Sequence, residues 1–194
     1  MTDVTHVVSH DRLQAVRSAI LVIDLQEKLV PVIPSGEKVV FFTDQLLDAA
    51  DLLQVPAAAT VQYPRGLGSL VEPLAGRFPE AEEKLDFSSA VCRRDLERWQ
   101  SQGRDQIVVC GIETHICVLQ TVLDLNAEGF DVHVIEQAVA ARGPQEHTLA
   151  IEQMRCSGAT ITSVESVVFQ WLGSAKHPQF KAVSKLVQSM AARQ

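Results

Sequence analysis

Paired cysteines are the first thing this sequence lacks. Cys92, Cys110, Cys117 and Cys156 make neither a Cys-x-x-Cys pair nor a zinc-finger spacing. That argues against a disulfide framework, a local redox pair and a structural zinc site, and it suits reduced thiols in cytosol. Excess basic charge is also missing: 17 Lys and Arg face 24 Asp and Glu, a formal charge of −7. Nucleic acid and anionic membrane surfaces are therefore not expected partners. No apolar run is long enough to span a bilayer. Residues 111–116, GIETHI, are not the Gly-x-Gly-x-x-Gly of a dinucleotide site, and there is no internal repeat or low-complexity tract. The first twelve residues lack the basic start and apolar core of a secretory signal, so 1–12 reads as an unprocessed, loosely ordered arm.

What is present suits one globular unit over 13–194. At 194 residues, 46% apolar and 21% charged, the chain can bury a full core without metal or disulfides. Short β-branched or apolar runs at 19–23 (AILVI), 56–62 (PAAATVQ), 107–110 (IVVC), 130–135 and 159–162 read as strands, with a weaker one at 83–87. Between them, apolar residues recur at helical spacing, as in Val39, Phe42, Leu46 and Leu53 or Ile116, Leu119, Val122 and Leu123. Ser88 or Ser89 and Ser163 suit helix N-caps, and the tail stripe of Phe180, Val183, Val187 and Met190 suits a closing helix or a subunit interface. Strands alternating with helices predict an α/β, three-layer doubly wound fold: a six-stranded parallel sheet with helices on both faces.

In such a fold, ligands sit at the carboxyl edge of the sheet. Asp24 ends the first strand there, and Gln62 and Tyr63 end the second. Lys84 lies by the third strand, where pattern alone makes it solvated surface. After the fourth strand, Thr114 is a reasonable N-cap, which would place Cys117 in a helix's first turn. Unpaired N–H groups there favour thiolate over thiol and could hold an oxyanion. A buried structural cysteine is the competing reading. His115, two residues from Cys117, points elsewhere on a helix, which leaves it a pocket or capping role.

Taken in order, AILVIDLQ (19–26), EKLDFS around Lys84 and GIETHICVLQT (111–121) resemble the isochorismatase-like cysteine hydrolases, a family that includes nicotinamidases and N-carbamoyl amidohydrolases. TVQYPRGLGS, SVVFQWLG and HPQFKAVSKLV further resemble its isochorismatase-domain-containing subgroup, and the likeness spans about 13–188. The resemblance implies an Asp24–Lys84–Cys117 triad, a cis Ile112–Glu113 peptide and an oxyanion hole from the amides of Glu113 and Cys117. Gln26, Gln62, Tyr63 and His115 would line the substrate pocket. Metal-bearing nicotinamidases carry an Asp-x-His-x-His-like cluster where this chain reads TVQYPRG, so neither a metal nor another cofactor is expected.

The expected activity is hydrolysis of a small amide, carbamoyl or related acyl compound through a Cys117 thioester, by a cytoplasmic homo-oligomer. Asp24 would accept the thiol proton. Ordinary pKa values of about 3.9 and 8.5 put that transfer uphill by about 6 kcal/mol, which the site must offset. Two alternatives stand beside it. One is isochorismatase-type vinyl-ether hydrolysis, which needs an acid and no thiol; the other is a non-catalytic binding or assembly protein that keeps an inherited pocket.

Overall fold

The computed structural model describes residues 7–191. Its sheet holds six parallel strands in the order β3-β2-β1-β4-β5-β6, namely Glu82–Lys84, Ala57–Gln62, Ser18–Ile23, Gln106–Ile112, Asp131–Ala140 and Thr160–Thr162. The order reverses between β1 and β4, so connections leave their carboxyl ends in opposite directions and open a crevice there. Alternation of side chains along the two central strands builds a core on each face. Ile20 and Val22 of β1 and Val108, Cys110 and Ile112 of β4 face α1 (Gly36–Leu53) and the two last helices of the described chain. Ala19, Leu21, Ile23, Ile107 and Val109 face the opposite layer, where Trp99, Val122, Leu125 and Met154 are buried.

The connecting elements follow in chain order. After β2 come the short helices α2 (Pro64–Leu67) and α3 (Leu74–Arg77), then α4 (Arg93–Ser101) beyond β3. A π-helical turn, Thr114–Val118, leads into α5 (Leu119–Ala127) after β4. The chain continues through α6 (Pro144–Cys156), α7 (Val164–Leu172) and α8 (Phe180–Ala191). Ser163 caps α7 by accepting from Ser166 N–H, and Gly173 ends it at φ +67°, as the sequence pattern predicts. Ser88 caps the 3₁₀ turn Ser89–Val91, one element before the helix it was expected to start. Of the expected arm, residues 1–6 lie outside the described residues. Arg12 at its end donates to the Gly173 carbonyl at 3.2 Å.

Three local expectations are corrected. Strand β3 stops at Lys84, because the carbonyls of Asp86 and Phe87 turn toward the Lys84 ammonium and leave the ladder. Strand β5 runs on past Ile135 to Ala140, across a register shift opposite Val109 and Gly111 of β4. Thr114 caps nothing: Glu113 precedes the turn, and the Thr114 hydroxyl pairs with His147 Nδ1 at 3.0 Å.

Candidate active site

Strand β1 delivers Asp24 into the crevice. The residue has φ +53°, in the left-handed region that Asp tolerates better than most residues, and it is fully buried. β3 brings Lys84 from the sheet edge. Its ammonium donates to Asp24 Oδ2 at 2.6 Å and to Gln62 Oε1 at 2.7 Å, with the Phe87 carbonyl at 3.1 Å and Asp86 at 3.4 Å. Both side chains of the pair are completely removed from solvent. A lysine that pattern assigns to the surface is thus held by an opposite charge and neutral acceptors, the condition under which a buried cation is tolerated.

The third group arrives from β4. Gly111 passes so close to β1 that a Cβ there would lie 2.1 Å from the Ile23 carbonyl oxygen, at φ +131°. The Ile112–Glu113 peptide is cis, and the chain then winds into the π-helical turn that carries Cys117. Such turns often mark functional sites. Cys117 is 6% exposed, and its thiol faces Asp24 and Lys84. Burial first, and the Asp24 charge second, push this thiol up to about 12 against the opposing pull of Lys84. The helix-turn influence that favours thiolate is thus opposed by its surroundings, where desolvation and the carboxylate outweigh the ammonium.

The surrounding residues divide by what their polar atoms do. Gln26, expected in the pocket lining, is fully buried, with its amide committed to the backbone. It donates to the carbonyls of Gln62 and Gly68 at 3.0 and 2.7 Å and accepts from Gln62 N–H at 2.8 Å. The amide of Gln62 is equally occupied, between Lys84 and the Leu85 carbonyl at 2.7 Å. It aims the lysine. Tyr63 is half-exposed and, with Arg65, Glu83, Lys84 and Leu85, walls a cavity of about 430 Å³ whose lining does not include Asp24 or Cys117. The Glu113 carboxylate accepts from the backbone N–H and Nε of Arg142, each at 3.0 Å, which anchors the cis turn to the end of β5. His115 makes no cap; its Nδ1 is buried without a hydrogen-bond partner among the described residues.

Sequence reading missed three hydroxyls. Thr60 donates to Asp24 Oδ1 at 2.8 Å, Ser89 lies 3.1 Å from Thr60 Oγ1, and Thr121 donates to the Cys117 carbonyl at 2.6 Å. The one available signal was Thr60 itself, a lone hydroxyl inside the run AAATV on the same strand face as Gln62. Among the described residues, no group of three or more His, Cys, Asp or Glu is arranged to hold a metal ion, and no helix is long and apolar enough to cross a membrane.

Comparison with known proteins gives a consistent result. The isochorismatase domain model matches residues 18–166. A secreted isochorismatase effector, Isc1, of Phytophthora sojae (strain P6497) is 40% identical over 178 residues, covering 88% of this chain and 84% of that protein. Isochorismatase domain-containing protein 2 of Xenopus laevis is 38% identical over 176 residues, covering 90% and 86%. Among solved structures, one described as MAR1 ribonuclease from Caenorhabditis elegans superposes with a TM-score of 0.84 at 36% identity, covering 91% of this chain and 92% of that one.

Proposed function

The chain belongs to the isochorismatase family, and from that membership we propose that it is a metal-independent hydrolase of small amide, carbamoyl or related acyl compounds, working through a Cys117 thioester. The observation that carries this reading is the dry Asp24–Lys84 pair, closed at 2.6 Å and facing the Cys117 thiol. In the mechanism, the substrate carbonyl is set against the Cys117 sulfur. Asp24 takes the thiol proton as sulfur attacks, so a free thiolate never has to accumulate in a site that resists one. Lys84 keeps the carboxylate aimed and compensates its charge. The amides of Glu113 and Cys117 receive the oxyanion, with the Arg142–Glu113 contact holding the turn that presents them. Asp24 returns the proton to the leaving group, and water then releases the acyl group from sulfur.

A small uncharged or weakly charged substrate suits a chain of formal charge −7 better than a polyanion, although one structural relative is described as a ribonuclease. The setting proposed is cytoplasmic and homo-oligomeric. Exposed Leu85, Phe87 and Val91 beside the site support self-association, which sedimentation of the purified protein would report as more than one subunit.

The high thiol also favours a second reading, vinyl-ether hydrolysis with Asp24 as acid and Cys117 as wall. One experiment separates the two. The wild type, Asp24→Asn and Cys117→Ala are assayed against amides, carbamoyl compounds, esters, a vinyl ether and RNA, with intact-mass detection of an acylated enzyme. Thiol catalysis requires an acyl adduct on the wild type and loss of at least about 10³-fold in kcat on Cys117→Ala. Vinyl-ether turnover retained by Cys117→Ala and lost by Asp24→Asn would replace it with the second reading, and RNA cleavage lost with Asp24→Asn would overturn both.

A further inference from the structure

The three buried hydroxyls form one connected device. Thr60, Ser89 and Thr121 are at most 1% exposed, yet they come from β2, a 3₁₀ turn and α5. The hydroxyl proton of Thr60 is spent on Asp24 Oδ1, and a hydroxyl has only one proton to give. The 3.1 Å contact between Thr60 and Ser89 is therefore a bond donated by Ser89. Its backbone N–H meanwhile donates to Thr121 Oγ1 at 2.7 Å, and Thr121 donates to the Cys117 carbonyl at 2.6 Å. Two hydroxyl dipoles thus stack in series toward the acid, and a second branch from the same residue ties down the turn that carries the thiol. Dipoles in series reinforce one another in a dry environment.

We propose that Thr60 and Ser89 are positioning residues for the Asp24–Cys117 pair: they aim Asp24 Oδ1, spread its charge, and through Thr121 fix the nucleophile turn at a set distance from it. The inference rests on the hydrolase reading above and adds to it the residues that set the acid's orientation. Ser89 is the joint. It sits five residues beyond Lys84, and the segment between them supplies the carbonyls that receive the lysine, so one short stretch of chain references all three groups. The titratable groups facing the thiol are Asp24 from β1 and Lys84 from β3, with Glu113 and His115 flanking on its own turn.

A direct readout avoids the need for a substrate. Iodoacetamide alkylation of Cys117 is followed by peptide mass spectrometry between pH 7 and 11 in the wild type, Thr60→Val, Thr60→Ser, Ser89→Ala and Asp24→Asn. With the Thr60 hydrogen bond gone, the carboxylate opposes thiolate more strongly. The Thr60→Val profile should move to higher pH by roughly half a unit or more, about threefold slower alkylation at a given pH below the midpoint. Thr60→Ser should restore the wild-type profile, Ser89→Ala should shift it the same way by less, and Asp24→Asn should shift it the opposite way. A Thr60→Val profile coincident with the wild type, or no restoration by Thr60→Ser, overturns the inference. If Asp24→Asn still moves the profile in that case, the hydrolase reading survives; if Asp24→Asn is also silent, both fall. Should Thr60→Val not fold, Ser89→Ala carries the test, and an unshifted profile for it is equally fatal.

Discussion

Burial of thiols is the residue-scale feature with the widest effect. Desolvation pushes Cys110 and Cys117 up to about 12 and Cys92 to about 11, from an ordinary value near 9. A group with a raised folded pKa holds its proton more tightly in the fold than in the unfolded chain. Its contribution to stability is complete below about pH 9 and drains away as pH rises toward the folded value, by about 1.4 kcal/mol per pH unit for each thiol. Urea midpoints should therefore fall between pH 9 and 11, and Cys110→Ala, which removes the most deeply buried of the three, should flatten that fall. A slope unchanged by the substitution would assign the alkaline loss to other groups. The roles of single residues were the least legible part of the sequence. Asp24 and Cys117 stand at strand ends, where position alone draws attention. Lys84 on pattern looked solvated, because nothing local announces that a carboxylate 60 positions away will bury it. Ser89 and Thr121 are similarly silent and Thr60 nearly so, since the contacts that join the three hydroxyls to one another and to Asp24 cross between distant elements.

Elements were easier to read, and the reason is periodicity. Strands buried on both faces give unbroken apolar runs, and helices packed on them repeat every three or four residues, so β1, β4, α1 and α7 follow from pattern. Where geometry departs from the regular, pattern fails. Glu136 and Gln137 look like the end of β5, yet the strand continues: residues 135–138 form a bulge opposite Cys110, after which Val139 and Ala140 pair again with Gly111 and Ile112. The π-helical turn has no signature that distinguishes it from an ordinary first turn. Gly111 is where β4 takes a positive φ hard against the main chain of β1. An alanine there would drive Cβ into the β1 backbone at a φ that side chains avoid, and the neighbour is main chain that cannot step aside. Gly111→Ala should cost about 3 kcal/mol or more in denaturant unfolding. It should also depress turnover in whatever fraction folds, because β1 carries Asp24 on its next residue. A stability change below about 1 kcal/mol would show that the two strands can part without loss.

At the scale of the whole molecule, the sheet order decides what holds the site together. Asp24 and the Cys117 turn leave the two central strands, β1 and β4, each bonded on both sides and covered by both cores. Lys84 belongs to β3, three residues long, at the sheet's outer edge, with β2 as its sole partner strand among the described residues. The acid and the thiol are thus built into the part of the protein that opens last, and the cation is lent by the part that opens first. Fraying of the edge would withdraw Lys84 while the fold stands, leaving Asp24 unbalanced beside a thiol that it suppresses further. Amide hydrogen exchange should show residues 82–84 exchanging far faster than 19–23 and 107–110, and equal rates would deny the distinction. Activity would then fade in mild denaturant before any global transition, as a reversible unlatching of one strand, with the rest of the protein serving as the frame to which that strand returns.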